Sequence, residues 1–276
     1  MSGGGVFAGE LFGRDREEPA PGVVLLPGWL GPEEQRELVA ACREWARPPA
    51  GMRTVTLPTG GVMSVRTVCL GWHWYPYGYA RTVVDGDGAP VKAFPPRLGE
   101  LARRAVAEAY GGSGGSGGGG GDAYGGGGGD AHGGGGGDGV GAGFGVGTGT
   151  GVGTGTGVGF GIGEIAGAAG FAPDVALVNH YPHGAKMGLH RDREERVDAP
   201  VVSLSLGDTC VFRLGNTETR TRPWTDLELR SGDLLVFGGP MRFAYHGVVR
   251  TLPGTADPEL GLVGRLNITV RQSGLE

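Results

Sequence analysis

Three side chains in the second half of the chain, His190, Asp192 and His246, are of the types that bind a transition metal. Two imidazole nitrogens and one carboxylate can cover one face of an octahedral ion and leave the other positions open, the donor set that suits non-haem Fe(II) working with O2. His190 and Asp192 stand two apart, so on a strand or at its end both project to one face. His246 must then arrive on a neighbouring strand. A His-x-Asp tripeptide alone is a chance event in a chain of this size, and what raises its weight is the company it keeps. Downstream, Arg265, Asn267, Thr269 and Arg271 alternate with Leu266, Ile268 and Val270, the period-two pattern of a strand with one polar face. Two arginines on that face should be meeting anions, because a buried unpaired charge is costly. An arginine fork is also a natural clamp for a small dicarboxylate.

The order Asn179-x-Tyr181, His190-x-Asp192, His246 and Arg265-x-Asn267-x-Thr269-x-Arg271 resembles the AlkB family of Fe(II)- and 2-oxoglutarate-dependent dioxygenases. It is most similar to the bacterial AlkB branch, which reverses N-alkyl damage on bases. Met63-Ser64-Val65, Leu70-Gly71-Trp72 and Tyr79 resemble the part of that branch that forms a lid over the damaged base. The resemblance runs from about Pro21 to Gln272, apart from a glycine-rich insertion. It implies that His190, Asp192 and His246 hold Fe(II), and that Asn179, Tyr181, Arg265, Asn267 and Arg271 bind 2-oxoglutarate, with O2 as second cosubstrate. Trp72, Tyr79, Met63, Ser64 and Glu194 are its substrate contacts. Glu194 stands where the bacterial branch has an aspartate that reads the exocyclic amine, and Leu266 where it has a tyrosine. The implied reaction is oxidative demethylation of 1-methyladenine or 3-methylcytosine in DNA, or RNA, releasing formaldehyde, succinate and CO2. A dioxygenase acting on protein or a small molecule is the alternative.

The elements that position these residues are mainly strands. Short apolar runs at 23–26, 174–181, 201–206, 210–214, 227–229, 233–237, 242–246 and 265–271, set off by Gly and Asp turns, suggest a sandwich or barrel. With the resemblance this becomes a double-stranded β-helix, a cupin-like jelly roll with flanking helices and an N-terminal substrate-lid extension. Pro32 with Glu33 and Glu34 opens one helix, whose apolar Leu38, Ala41, Cys42 and Trp45 recur at helical spacing. Leu98, Leu101, Ala102, Ala105, Val106 and Ala109 form the stripe of a second, from Pro95 to Tyr110. Trp74, Tyr75 and Tyr77 read as structural aromatics, and the charge run Arg193 to Arg196 as a solvated loop. Arg53 and Arg66 are candidate phosphate contacts with a solvated default. His180 and His183 fall outside the ligand pattern.

Residues 1–20 are expected to be a flexible tail, 21–110 to carry helices and lid, and 169–276 the catalytic core. Between 111 and 170 lie 34 of the chain's 62 glycines. So much glycine carries high chain entropy and almost no side chain to bury, so the insertion at 111–168 is expected to be disordered. Its aspartates, 122, 130 and 138, recur every eight residues without the aliphatic position a calcium-binding β-roll needs. His132 within it is expected to be solvated. Net charge is -5, which leaves no global basic field for nucleic acid, only room for a local patch. Three widely spaced cysteines, Cys42, Cys69 and Cys210, suggest neither disulfides nor zinc and fit a reducing cytoplasm. No signal segment or apolar run of membrane-spanning length is evident, and a monomer is expected.

Overall fold

The computed structural model describes residues 14–111 and 164–276. In chain order they form β1 (Glu17–Ala20), β2 (Val23–Leu26), α1 (Pro32–Trp45), β3 (Arg53–Thr56), β4 (Val62–Leu70), β5 (His73–Tyr75), β6 (Gly78–Ala80) and α2 (Pro96–Tyr110). The second half adds β7 (Val175–Tyr181), β8 (Met187–His190), β9 (Val201–Gly207), β10 (Thr209–Leu214), β11 (Thr225–Leu229), β12 (Leu234–Phe237), β13 (His246–Leu252) and β14 (Arg265–Arg271). An eight-stranded sheet runs β1-β2-β12-β9-β14-β7-β4-β3, and a four-stranded sheet runs β11-β10-β13-β8. A separate hairpin, β5-β6, lies in the N-terminal extension. The fold is a jelly roll with two flanking helices, as expected from the strand run.

Alternation explains the layers. On β14 the residues Leu266, Ile268 and Val270 join Ala176 and Val178 of β7 and Val202, Leu204 and Leu206 of β9 in one core, together with Leu38, Val39 and Cys42 of α1 and Leu98, Ala102 and Val106 of α2. That outer layer is where the helices cover the large sheet. The opposite face of the same strands looks inward: Val201, Leu235, Phe237 and Tyr181 meet Phe212, Leu214, Leu227 and Val248 of the small sheet in a second core. A one-residue slip of β14 would exchange its arginines for its aliphatics, so the register is strongly specified. Leu266, where the bacterial branch has a tyrosine, therefore packs in the helix-covered core, on the face of β14 opposite its arginines.

α1 begins as its sequence suggests, with Pro32 in the first turn, acids at Glu33 and Glu34, and the Gly31 amide donating to Glu34 Oε2 at 3.2 Å. Three expectations shift. Residues 14–20 belong to the fold, because β1 pairs with β2 and Arg14 ion-pairs with the buried Asp233 at 2.5 Å. Ile165 and Ala168 are buried in the helix-covered core, so ordered packing reaches into the 111–168 segment from its C-terminal side. Residues 1–13 and 112–163, including Asp122, Asp130, Asp138 and His132, lie outside the described residues. The strand expected at 242–246 is instead a short 3-10 helix, Gly239–Met241, followed by a turn, with β13 starting only at His246. The cause is Arg242, which adopts helical backbone angles and sends its guanidinium inward to carbonyls and a carboxylate. Among the described residues, no helix is long and apolar enough to cross a membrane.

Candidate metal and cosubstrate site

β8 and β13 pair antiparallel with His190 and His246 as direct partners, so strand pairing itself brings the two rings together, centroids 4.5 Å apart. The close approach needs Gly247: a Cβ there would sit 2.5 Å from the Met187 carbonyl oxygen. Asp192 follows β8 by two residues, and one donor atom from each of His190, Asp192 and His246 lies within 4.8 Å of the others. Each imidazole has its Nδ1 against a backbone carbonyl, Gly188 O at 3.0 Å for His190 and Ala244 O at 2.9 Å for His246. A carbonyl can only accept, so Nδ1 carries the proton and Nε2 is left with its lone pair. Those Nε2 atoms face the Asp192 carboxylate at 3.9 and 3.7 Å. This is the second-layer orientation that metal-binding histidines use.

The electrostatics suit a cation. Burial, with His190 beside it, pulls the His246 pKa down to about 4 against the opposing pull of Asp192, so the ring is neutral near pH 7 and able to ligate. Burial opposes charge on Asp192, but the Arg271 guanidinium, then His246 and His190, hold its carboxyl below the usual carboxylate range. Arg271 Nη2 lies 2.7 Å from Asp192 Oδ2. The rings of Phe212 and Phe237 flank His246, centroids 5.8 and 5.1 Å away, and keep one side of the site apolar.

Inward from the metal site, the polar face of β14 lines the barrel. Arg265 is 1% exposed, and its one hydrogen bond runs from Nη2 to Ser205 Oγ at 2.8 Å. Its Nε and Nη1 have no partner, and among the described residues no carboxylate pairs with it. Asn267 is satisfied inside the framework: Nδ2 donates to Ser203 Oγ and Leu204 O, and Oδ1 accepts from Thr269. Asn179 accepts from Thr67 Oγ1 at 2.8 Å. The Tyr181 hydroxyl is buried, which raises its pKa, and finds only the weak acceptor Met187 Sδ at 3.8 Å. Arg271 differs from Arg265 in having anions of its own chain on both terminal nitrogens, Asp192 on Nη2 and Glu195 with the Tyr79 hydroxyl on Nη1, while its Nε is without a partner.

The residues expected to meet substrate are more dispersed. Tyr79 reaches the metal-site network, donating to Glu195 Oε1 at 2.5 Å. Trp72 packs with Cys69, Val175 and Leu177 in the cluster that also holds Tyr79, its indole N–H on Asp174 and the Arg81 guanidinium 3.3 Å from its ring centroid. Ser64 pins β4 to the chain ahead of β8 by hydrogen bonds with the backbone of Lys186, while Met63 packs half-buried against the inner core. Glu194 is half-buried and accepts from the Arg193 amide. Arg53 is unavailable to phosphates, being paired with Asp85 and bound to the Trp74 carbonyl. His180 faces Val263 O and His183 is exposed near Asp208, both outside the metal cluster.

Sequence reasoning missed Glu195 and Arg242. The charge run around Glu195 is not simply solvated, since that side chain is 0% exposed and bridges Arg242 and Arg271. It also passed over Thr67, Ser203 and Ser205, although the alternation of Ser203 and Ser205 within an aliphatic strand was a readable signal.

The model of the 2OG-Fe(II) oxygenase superfamily matches residues 22–271. The chain belongs to that superfamily. Its members use Fe(II), 2-oxoglutarate and O2, and the cluster of His190, Asp192 and His246 with the unpaired donors of Arg265 fits such a pair of ligands. Over 102 residues, 37% of this chain and 46% of the relative, it is 50% identical to the alpha-ketoglutarate-dependent dioxygenase AlkB homolog of Caulobacter vibrioides. Over 261 residues, 91% of this chain and 49% of the relative, it is 27% identical to the DNA N(6)-methyladenine demethylase ALKBH1D of Arabidopsis thaliana. The solved structure of OsALKBH1 superposes with a TM-score of 0.68 at 27% identity, covering 93% of this chain and 100% of that one. The AlkB resemblance read from the motifs is thereby borne out. The chain spans about half the length of these curated relatives.

Proposed function

We propose that this superfamily member is an oxidative demethylase of N-alkylated bases, of the 1-methyladenine and 3-methylcytosine type, in DNA and also in RNA, working as a monomer in the cytoplasm. The observation that carries the cosubstrate half is Arg265, a buried guanidinium with two donors unpaired in a barrel whose metal cluster stands on the neighbouring sheet. Such a fork asks for a carboxylate. The substrate half is supported by relatives named as AlkB and as a DNA demethylase.

In this reading the Nε2 atoms of His190 and His246 and the Asp192 carboxylate hold Fe(II), and Arg265 takes the distal carboxylate of 2-oxoglutarate. Bound iron would supply O2 activation, with O2 as the oxidant: one oxygen atom would go to 2-oxoglutarate as it becomes succinate and CO2, the other would hydroxylate the N-methyl group, and the hydroxymethyl would leave as formaldehyde with its O–H proton returning to the base. Tyr181 and Asn179 line the cosubstrate side, and Asn267 holds the strand register there. Arg271 keeps Asp192 charged and aimed. Phe212 and Phe237 keep water from one flank of His246. Tyr79 and Trp72, with Met63 and Ser64 ahead of them, form the base-facing wall. Glu194 places an acid near a pocket for a base that its N-methyl group leaves positively charged. Arg191 and Arg220, stacked at 4.4 and 5.6 Å on Tyr245 beside His246, give the acidic protein a local basic rim for a phosphate backbone.

The test is formaldehyde and succinate release with Fe(II), 2-oxoglutarate and single-stranded DNA carrying 1-methyladenine or 3-methylcytosine, against unmethylated DNA and the same lesions in RNA. Release of both products only with methylated strands supports the proposal. Succinate formed at one rate regardless of methylation would move the substrate to protein or a small molecule.

A further inference from the structure

Glu195 sits three residues beyond Asp192 and belongs to none of the roles assigned above. Its carboxylate is fully buried and every oxygen is used. Oε1 accepts from the Tyr79 hydroxyl at 2.5 Å and from Arg271 Nη1 at 3.0 Å, and Oε2 accepts from Arg242 Nη2 at 3.0 Å. Both arginines then turn to Asp192 from different sides. Arg271 places Nη2 2.7 Å from the carboxylate, and Arg242 donates Nη1 to the Asp192 backbone carbonyl at 3.2 Å. Arg242 also donates Nε to Ala199 O at 2.6 Å, which ties both ends of the loop between β8 and β9 to one side chain.

The charges balance, two buried carboxylates against two buried guanidiniums. A buried ion network of this kind is weak evidence for stability, since apolar residues of similar volume often do as well. What it does supply is direction, because both terminal nitrogens of Arg271 and both oxygens of Glu195 are committed to named partners in one arrangement. At one end of the network is a carboxylate of the metal cluster. At the other is Tyr79 of β6, in the small hairpin that belongs to neither main sheet.

We propose that Glu195 is a positioning residue that couples the β5-β6 hairpin to the metal carboxylate: the hairpin's Tyr79 reaches Asp192 through Arg271, by a direct contact at 3.3 Å and by the shorter bonds that pass through Glu195. When the hairpin is seated, Glu195 is held, Arg271 is held by Glu195, and Asp192 presents its carboxylate towards His190 and His246. When the hairpin is displaced, Glu195 loses a hydrogen-bond donor, Arg271 loses the Tyr79 hydroxyl as an acceptor, and Arg271 is free to shift its weight from Asp192 to Glu195. Metal affinity and hairpin seating are therefore linked. By reciprocity, a nucleotide that seats the hairpin tightens metal binding by the same factor.

The inference rests on the reading of His190, Asp192 and His246 as metal ligands, and the experiment separates the two. Co(II), a spectroscopically visible stand-in for Fe(II), is titrated into the parent protein, His246→Ala, Tyr79→Phe, Glu195→Gln and the double variant, followed by its d–d absorption and by calorimetry. A metal-site reading that fails shows as equal binding by the parent and His246→Ala. Given a sound metal site, Glu195→Gln weakens Co(II) binding by about 10–100-fold, the usual cost of losing a residue that orients a ligand. Tyr79→Phe weakens it several-fold in the parent background and by clearly less in the Glu195→Gln background, where only the direct Tyr79 to Arg271 contact is left to lose. An effect of Tyr79→Phe that is the same size in both backgrounds overturns the coupling, as does Co(II) affinity in Glu195→Gln equal to the parent's. Should Glu195→Gln fail to fold by circular dichroism, Tyr79→Phe decides alone, because it deletes one hydroxyl from a hairpin: parental Co(II) affinity in that variant overturns the proposal. Tyr79→Trp, which keeps a polar hydrogen at a displaced position, is expected to lie between Tyr79→Phe and the parent, and full loss in it beyond Tyr79→Phe would also count against a hydrogen-bonded link.

Discussion

Arg265 and Arg271 stand on the same face of β14, one at each end, and are equally hidden from solvent, yet their surroundings are opposite. Arg271 meets two carboxylates and a tyrosine hydroxyl. Arg265 meets one serine hydroxyl and has two donors unpaired. The difference teaches how to separate architecture from binding in a buried polar strand. A guanidinium whose anions come from its own chain is holding those anions in place, whereas one whose anions are absent from the chain is waiting for a ligand. The sequence pattern treats the two alike, and only packing distinguishes them.

The largest effect that would test the comparison is at Asp192. Asp192→Ala removes a ligand from the cluster but leaves Arg271 paired with Glu195, so the fold is expected to persist by circular dichroism while Fe(II)-dependent succinate formation falls to background. Undiminished turnover would remove Asp192 from the ligand set. Next is Arg271→Met, which leaves two buried carboxylates with Arg242 as their only strong counter-charge and is expected to cost about 3–5 kcal/mol in urea unfolding. Ser205→Ala comes third: it deletes the one acceptor of Arg265 and should cost about 1–3 kcal/mol, the price of another buried unpaired donor. Smallest is Arg265→Met in the absence of ligand. Removing unpaired buried donors and filling the space with an apolar chain should change stability by less than about 1 kcal/mol. If Arg265→Met proved as destabilising as Arg271→Met, the two arginines would be equivalent and the distinction would fall.

The same distinction marks what the sequence could and could not reveal. His190 and Asp192 stood out through their spacing together with the arginine strand downstream, and strand pairing delivered His246 opposite His190 as expected. Both helices and all but one of the named strands in the jelly roll were legible because their apolar periods were long and their ends were marked by Pro, Gly and acids. The exception, 242–246, was misread because Phe243 and Tyr245 look like strand residues, while the backbone there is set by the inward turn of Arg242. Glu195 was hidden for a related reason. A charge in a run of charges reads as solvated, and its burial depends on Arg242 and Arg271, which come 47 and 76 residues later in the chain. The paired use of Asn267 within the barrel is likewise a property of Ser203 and Thr269 around it, not of its own position.

The most direct measurement of the central claim is the affinity of the metal-loaded protein for 2-oxoglutarate compared with 2-oxobutanoate, which keeps the keto acid but lacks the distal carboxylate. Isothermal titration is run on the parent and on Arg265→Met. The expected result is that the parent prefers 2-oxoglutarate by about 10–100-fold, the value of one to two charge-assisted hydrogen bonds, and that Arg265→Met binds the two compounds with nearly equal affinity. A parent that does not discriminate, or an Arg265→Met variant that discriminates as well as the parent, would contradict the assignment of Arg265 to the cosubstrate carboxylate.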